Sequence, residues 1–283
     1  MILVKMKSKI GFPQNPTTIT INRRDYNTFF ELSNDLFCKE SRKSVISWIN
    51  ETPIDHKGWD VCCFDVNAYY SVFDNEIIIP CGILEYPFYV ESENWSNNLG
   101  GLGSIIAHEI IHGFDSTGYQ FDSNGNKRMW WSGKDKMMYN ISINRIKLKY
   151  SKILIKVHSQ KNEYVNLDSG KTLNENIADI GGVDLSYRAL KHEINRNQYF
   201  DEDTIKKMKM LFFVKWAKLW RNKTNQHAFD QDLQDQDLQE QDHSPPEIRA
   251  NMVVSNIDDF YTLFDIKKNY EMWVHPNDRI HIW

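Results

Sequence analysis

His108-Glu109-Ile110-Ile111-His112 is the most informative stretch of this sequence for its fold. The six residues before it are largely apolar and compatible with a helix. On a helix, positions four residues apart share a face, so His108 and His112 point the same way at a spacing that suits one metal ion. Glu109 then lies beside a metal-bound water, as a general base rather than a ligand. The alternative is a helix that carries two half-buried histidines.

A third ligand is needed, because a catalytic zinc keeps three protein ligands and one position for water. One class of zinc sites uses a His six residues after the second His, with a Gly three residues after it. Gly118 and Asp115 occupy those positions here, which excludes that class. Glu175 and Asp179 lie four residues apart in Asn-Glu-Asn-Ile-Ala-Asp at 174–179. We predict that Glu175 is the third ligand and that Asp179 orients a ligating imidazole. The alternative is a surface acidic pair.

The composition limits the class of protein. The chain has 283 residues, 41% of them hydrophobic, which is enough for one large domain or two small ones. The net charge of −4, from 34 basic and 38 acidic residues, gives no surplus that would indicate nucleic-acid binding. We also expect no membrane span, because the sequence has no run of about 18 apolar residues. Residues 1–9 lack the apolar core of a signal peptide, and the compartment is unknown.

Four cysteines are present, at positions 38, 62, 63 and 81. Cys62 and Cys63 are adjacent and would face opposite sides of a strand. Since no CxxC spacing occurs, the sequence does not indicate a cysteine metal site. We predict buried, reduced thiols, which favours a reducing compartment.

The remaining pattern predicts an α+β fold that is predominantly helical with a small sheet. Further helices are predicted over residues 24–49, 133–157, 172–192 and 204–221. Strands are predicted at 61–70 and 75–80, and a turn is predicted at 122–126. Gly100-Gly101 is predicted to interrupt regular secondary structure before the helix that carries His108. Phe29, Phe30 and Phe37 belong to an apolar stripe of the first helix that we expect in the core.

Residues 230–242 are a short Asp/Gln-rich repeat of low complexity. We interpret this segment as a solvated, mobile loop insertion rather than a metal or partner site. No larger internal repeat is visible. The sequence is therefore interpreted as one domain over residues 1–283.

In five ordered blocks the chain resembles the neprilysin-like zinc metallopeptidases, the group that includes neprilysin and the endothelin-converting enzymes. The blocks are residues 66–70, 75–84, 100–115, 174–179 and 243–249. The resemblance implies a thermolysin-like zinc peptidase catalytic domain with one zinc ion per chain. It also implies that Asp179, on the helix that carries the third ligand, is a catalytic residue. The implied substrates are peptides.

The resemblance assigns further roles. Glu109 polarises the zinc-bound water, and His243 stabilises the oxyanion of the transition state. Asn67 and Ala68 bind the peptide main chain as an added strand. Arg249 holds a substrate carbonyl through its fork-shaped donors.

The chain also departs from the family. Members carry a large N-terminal helical lobe over the active-site cavity, and we expect most of that lobe to be absent here. The cleft is then expected to be open, unless a partner chain covers it. The chain ends Arg279-Ile280-His281-Ile282-Trp283, without the Cys found near the end of secreted members, and the 230–242 insertion precedes His243.

The sequence therefore predicts a zinc endopeptidase or oligopeptidase that cuts before large hydrophobic residues. Ile105, Phe88 and Trp220 are candidates for the pocket that receives such a residue, although core packing also explains them. The alternatives are a catalytically impaired, zinc-stabilised binding protein and a catalytic half that needs a partner chain. The intact Glu109 argues against the first of these.

Overall fold

The computed structural model describes residues 2–13, 26–50, 59, 61–156, 164–197, 199–222 and 242–283. The chain divides into a large unit, Met1–Gly11 with Cys63–Trp283, and a small unit, Phe12–Cys62. The interpretation of residues 1–283 as one domain stays a prediction. The insertion predicted at 230–242 lies outside the described residues apart from Asp242.

Helices dominate both units, and the predicted fold class is confirmed. In chain order the elements are α1 (Ile2–Lys5), β1 (Lys7–Gly11), α2 (Phe29–Ile49), β2 (Tyr69–Ser71), β3 (Glu76–Pro80), α3 (Trp95–Asn98), α4 (Ser104–His112), α5 (Gly133–Tyr150), β4 (Leu154–Lys156), β5 (Tyr164–Asn166), α6 (Leu173–Arg196), α7 (Glu202–Leu219), α8 (Pro246–Val254) and α9 (Asp258–Leu263). Within the described part of the chain, no helix combines the length and apolar character that crossing a membrane requires.

A three-stranded sheet of order β1-β3-β2 lies beside the helices. The central strand β3 is buried along its whole length; it pairs in parallel with β1 and antiparallel with β2. The predicted strand at 75–80 is confirmed. The strand predicted at 61–70 is wrong for residues 61–68, which form turns and loops. There, the Asn67 side chain accepts a hydrogen bond from the Ala68 N–H, a local bond that replaces ladder pairing.

The helices predicted around the core are found, with one correction. The helix predicted at 133–157 ends at Tyr150, because residues 154–156 instead pair with β5 as strand β4. Two long helices, α6 and α7, match the predictions at 172–192 and 204–221 to within a few residues. The core contains Ile177, Tyr187 and Leu190 of α6 and Phe212 and Trp216 of α7, each without measurable exposure.

The prediction that the apolar stripe of α2 lies in the core is wrong. Phe29, Phe30 and Phe37 are 82%, 77% and 72% exposed. Among the described residues of the small unit, α2 is the only helix, so this part of the unit has no second helix that could cover the stripe.

The four cysteines are not disulfide-bonded in the described structure, but the expectation that they are buried is wrong. Cys38 and Cys62 are exposed, while Cys63 and Cys81 are partly exposed. Cys81 lies at the end of β3, where its thiol donates to the carbonyl oxygen of Cys63 at 2.9 Å. These positions lie on an exposed helix and around surface turns, which explains why the thiols are not enclosed.

The helix with the two histidines packs closely against α6. A Cβ atom on Gly182 would lie 2.6 Å from the backbone nitrogen of His108 and 2.8 Å from its Cα. Real Cβ atoms do not approach backbone this closely, so Gly182 permits the two helices to pack at this distance. The predicted break before α4 is also present, as a π-helical turn at Leu99–Gly103 in which Gly101 leaves helical geometry with ψ −112°.

The close packing at Gly182 generates a stability prediction. Gly182→Ala should force α4 and α6 apart and lower the free energy of unfolding by about 1–3 kcal/mol. Gly133→Ala is the matched control, because a Cβ there meets nothing within 4 Å, and its effect should be a gain of at most about 1 kcal/mol. Urea unfolding of both variants measures the difference. Equal stability of the two variants would contradict the close approach.

Candidate metal centre

Three ligand atoms from α4 and α6 converge at one point. The Nε2 atoms of His108 and His112 lie 3.0 Å apart. Glu175 places its Oε2 atom 3.1 Å from Nε2 of His108 and 3.6 Å from Nε2 of His112. Tetrahedral zinc with bonds of about 2.0–2.1 Å would hold its ligand atoms about 3.3 Å apart. The spacing of the three atoms fits such an ion.

Two carboxylates face the far side of the two imidazoles. Asp179 Oδ1 lies 2.8 Å from Nδ1 of His108, and Asp115 Oδ2 lies 2.8 Å from Nδ1 of His112. A carboxylate accepts a hydrogen bond from a proton-bearing Nδ1, which leaves the lone pair on Nε2. Two lone pairs and the Glu175 carboxylate would then repel one another unless a cation lies between them. The chemistry of this donor set therefore fits a divalent metal such as zinc.

Asp115 is a candidate site residue to which the sequence interpretation assigned no role. Its Oδ1 atom accepts the backbone N–H groups of Thr117 and Gly118, both at 2.7 Å, so its orientation is fixed. A Cβ on Gly118 would lie 1.9 Å from the His112 carbonyl oxygen, and this turn therefore needs glycine. The available signal was a carboxylate three residues after the second ligating histidine, within reach at a helix end.

Asp179 lies where it was predicted and has a second partner. Arg249 donates to it through Nε and Nη2, both at 2.7 Å, and both residues are buried. The guanidinium also lies over the ring of Trp220, 3.6 Å from its centroid. Such a bidentate, stacked arginine holds the carboxylate rigidly. In the structure Arg249 therefore contacts Asp179, and its predicted role with substrate stays a prediction.

The charges of the cluster are strongly coupled. Burial opposes ionisation of Glu175, but hydrogen bonds from His108, His112 and His243 lower its pKa overall. Burial would lower the pKa of His112, yet hydrogen bonds to Asp115 and Glu175 raise it to about 10. Without a metal ion these shifts describe protonated imidazoles that pair with the carboxylates, and a divalent cation bound to the Nε2 atoms would take the place of those protons.

Glu109 and His243 lie beside the three converging atoms. Glu109 is 6% exposed, and burial raises its pKa. His243 places Nε2 2.8 Å from Oε2 of Glu175, and its ring lies almost parallel to that of His108. The His243 side chain is about half exposed, unlike the buried His108 on α4. The structure thus brings a buried carboxylate and an accessible imidazole to the same centre.

A cavity of about 420 Å³ opens onto this centre. Its walls come from the β2 region, α4, the turn after α4, the start of α6 and the segment before α8: Asn67, Ala68, Tyr69, Tyr70, Val72, His108, Glu109, His112, Asp115, Thr117, Gly118, Asn174, Glu175 and His243. Arg249 is not among them. The three pocket candidates Ile105, Phe88 and Trp220 are not among them either; they pack in or against the core.

Asn67 and Ala68 immediately precede β2, an edge strand of its sheet among the described residues. Asn67 is exposed, while Ala68 is 6% exposed and donates its N–H to the Asn67 side chain at 2.9 Å. An edge strand offers unpaired backbone groups to an extended peptide. The structure brings this edge and the histidine cluster to one cavity.

Two histidines and a glutamate with a second glutamate nearby form the arrangement that gluzincin-type zinc peptidases use. The comparison with protein families agrees, since residues 67–280 match peptidase family M13. The chain belongs to peptidase family M13, a family of zinc metallopeptidases.

Relatives of known sequence support this membership. The neutral endopeptidase of Lactococcus lactis subsp. cremoris is 36% identical over 231 residues, which cover 81% of this chain and 33% of that protein. Neprilysin-2 of Caenorhabditis elegans is 31% identical over 295 residues, covering 99% of this chain and 37% of that protein. The chain thus spans about a third of the length of these relatives.

Solved structures show the same fold. The zinc metalloprotease ZMP1 of Mycobacterium tuberculosis, in complex with an inhibitor, superposes with a TM-score of 0.82 at 29% identity. That match covers 100% of this chain and 42% of the other. PEPO from Lactobacillus rhamnosis gives a TM-score of 0.79 at 25% identity, over 100% of this chain and 41% of the other.

The hydrogen bonds of Asp115 generate a prediction about metal affinity. In Asp115→Asn the backbone N–H groups of Thr117 and Gly118 still require the side-chain oxygen, which turns the amide nitrogen toward His112. An N–H donor there favours the tautomer with the proton on Nε2, the atom that would bind metal. Zinc affinity should fall by about 10–100-fold.

Competition with a chelator measures this loss. Asp168→Asn is the matched control, because Asp168 also accepts two backbone N–H groups, from Gly170 and Lys171, but lies exposed in another turn. It should leave zinc affinity unchanged. Unchanged affinity in Asp115→Asn would show that Asp115 does not set the tautomer.

Proposed function

We propose that this chain is a zinc-dependent endopeptidase or oligopeptidase that hydrolyses peptide bonds. The observation that carries the proposal is the convergence of His108, His112 and Glu175 in one cavity with the buried Glu109. One zinc ion per chain would be held by these three ligands. When bound, zinc supplies a Lewis acid that polarises the scissile carbonyl and lowers the pKa of a bound water.

Glu109 acts as the general base in this proposal. It follows His108 directly on α4, it lines the cavity, and its carboxylate is shielded from bulk water. A buried carboxylate whose pKa is raised holds a transferred proton more readily. Glu109 would take the proton from the attacking water and deliver it to the leaving amine.

His243 and Arg249 support the transition state and the substrate. The His243 imidazole lies at the open side of the centre, where it can donate a hydrogen bond to the developing oxyanion. Arg249 pairs with Asp179 through Nε and Nη2 and does not line the cavity, so a contact between its remaining nitrogen Nη1 and a substrate carbonyl would require a rearrangement when the substrate binds. Asp179 would keep both His108 and Arg249 in place.

The substrate backbone would lie along the edge near β2. Asn67 and Ala68 would bind it as an added strand, which suits an extended peptide of almost any sequence. A preference for a large hydrophobic residue just after the cut bond follows from the resemblance to neprilysin-like peptidases. Phe88, Ile105 and Trp220 do not line the cavity, so we do not carry them forward as its side-chain pocket.

The mechanism predicts a specific result for Glu109→Gln. The variant should retain zinc, because Glu109 is not a ligand, while turnover of a quenched fluorescent peptide falls by several orders of magnitude. Glu271→Gln, an exposed glutamate far along the chain, serves as the control and should keep full activity. Metal analysis and peptide hydrolysis are measured on the same samples.

Three outcomes separate the alternatives. Near-full activity of Glu109→Gln would refute the base assignment. Zinc bound without turnover in the unchanged chain would favour a zinc-stabilised binding protein. Turnover that begins only when a second polypeptide is added would favour a catalytic half with a partner chain.

His243→Phe tests the oxyanion assignment. A hydrogen bond that strengthens in the transition state contributes mainly to kcat, so kcat should fall by about 100–1000-fold while KM changes little. His192→Phe, an exposed histidine on α6, should leave both constants unchanged. A rise in KM with unchanged kcat would reassign His243 to ground-state binding.

A further inference from the structure

The position of His243 needs an explanation that its own side chain does not provide. Its imidazole is half exposed and bonds to Oε2 of Glu175, the oxygen that also approaches His108 and His112. In the proposed function that oxygen is a metal ligand, so its hydrogen bond to His243 is weakened by competition. The imidazole must then be positioned by the backbone that carries it.

The next residue is firmly anchored. Ser244 is 3% exposed, and its hydroxyl donates to Oδ1 of Asn176 at 2.7 Å. Asn176 is 1% exposed and is itself held, because its Nδ2 donates to Thr172 Oγ1 at 2.9 Å. Thr172 in turn donates to the backbone carbonyl of Asp168 at 2.9 Å. Each donor in this buried chain of hydrogen bonds therefore has an acceptor.

The chain on the other side of Ser244 is stiff. Pro245 and Pro246 follow it, and their rings fix φ, with Pro245 at φ −51° and Pro246 as the first residue of α8. A residue before a proline is also restricted to extended geometry. Once Ser244 is anchored, little backbone freedom remains between the anchor and α8.

The residue that anchors Ser244 is adjacent on α6 to the residue that His243 contacts. Asn176 follows Glu175 directly on α6, so a hydrogen bond to Asn176 places the His243 backbone relative to the Glu175 carboxylate. We infer that Ser244 and Asn176 are positioning residues, whose hydrogen bond holds His243 at the metal centre for stabilisation of the oxyanion. The inference rests on the proposed function for its effect on catalysis, and on geometry alone for its effect on the position of His243.

Ser244→Ala is the variant that tests the inference. In zinc-loaded protein we expect a fall in kcat of about 10-fold or more, because a small displacement of a catalytic donor is costly, with unchanged zinc content and little change in KM. Ser244→Thr keeps the hydroxyl and should restore most of kcat. Ser255→Ala is the matched control, since Ser255 is equally buried at the other end of α8 and donates to Met252.

A double-mutant comparison separates positioning from general damage. If Ser244 acts through His243, the kcat loss caused by Ser244→Ala should vanish in a His243→Phe background. A purely structural role would reduce kcat by the same factor in both backgrounds. That result, or a similar loss in Ser255→Ala, would overturn the inference.

Crystal structures of the chelated, metal-free chain give a readout that does not depend on activity. In the unchanged protein His243 should remain within hydrogen-bond distance of Glu175, and in Ser244→Ala its ring should be displaced or spread over several positions. An unmoved ring in Ser244→Ala would overturn the inference. An inactive parent chain, or a fully active His243→Phe, would instead refute the proposed function while the crystallographic comparison still decides whether Ser244 positions His243.

Discussion

The close packing of α4 against α6 is the constraint on which the site depends. Gly182 lets the backbone of His108 approach α6 more closely than any residue with a Cβ atom would allow. With the two helices this close, Glu175 and Asp179 reach opposite nitrogens of the same imidazole. A wider separation would remove both contacts together. The geometry of the metal centre is therefore a consequence of helix packing.

Much of this arrangement could be predicted from local sequence, because helical spacing is a local property. His108, His112, Glu175 and Asp179 were assigned from i, i+4 patterns, and the structure brings them together. Asp115 was missed because its role depends on the turn after the helix, where Gly118 lets the chain fold back. Periodicity describes the helices but not the turns that follow them.

Contacts between residues far apart in the sequence could not be predicted from local patterns. The pairing of Arg249 with Asp179 joins residues 70 positions apart, and no local pattern indicates it. The expected burial of Phe29 on α2 failed for the same reason, since an apolar stripe shows that a helix could be buried but not whether a partner is present. Composition predicts a strand at residues 61–68, but the local hydrogen bond from the Ala68 N–H to the Asn67 side chain favours a turn.

The topology of the three-stranded sheet has a consequence for how this fold tolerates change in length. Strand β1 ends at Gly11, paired with Pro80, and the chain re-enters the large unit at Cys63, whose carbonyl accepts the N–H of Gly82. Exit and return thus border the same short turn of the large unit, so the two ends of the excursion are held close together. For a chain segment held at its ends, the entropic cost of closure grows only with the logarithm of its length. Insertions or deletions in the excursion can therefore accumulate during evolution without shifting the strand edge that faces the cavity.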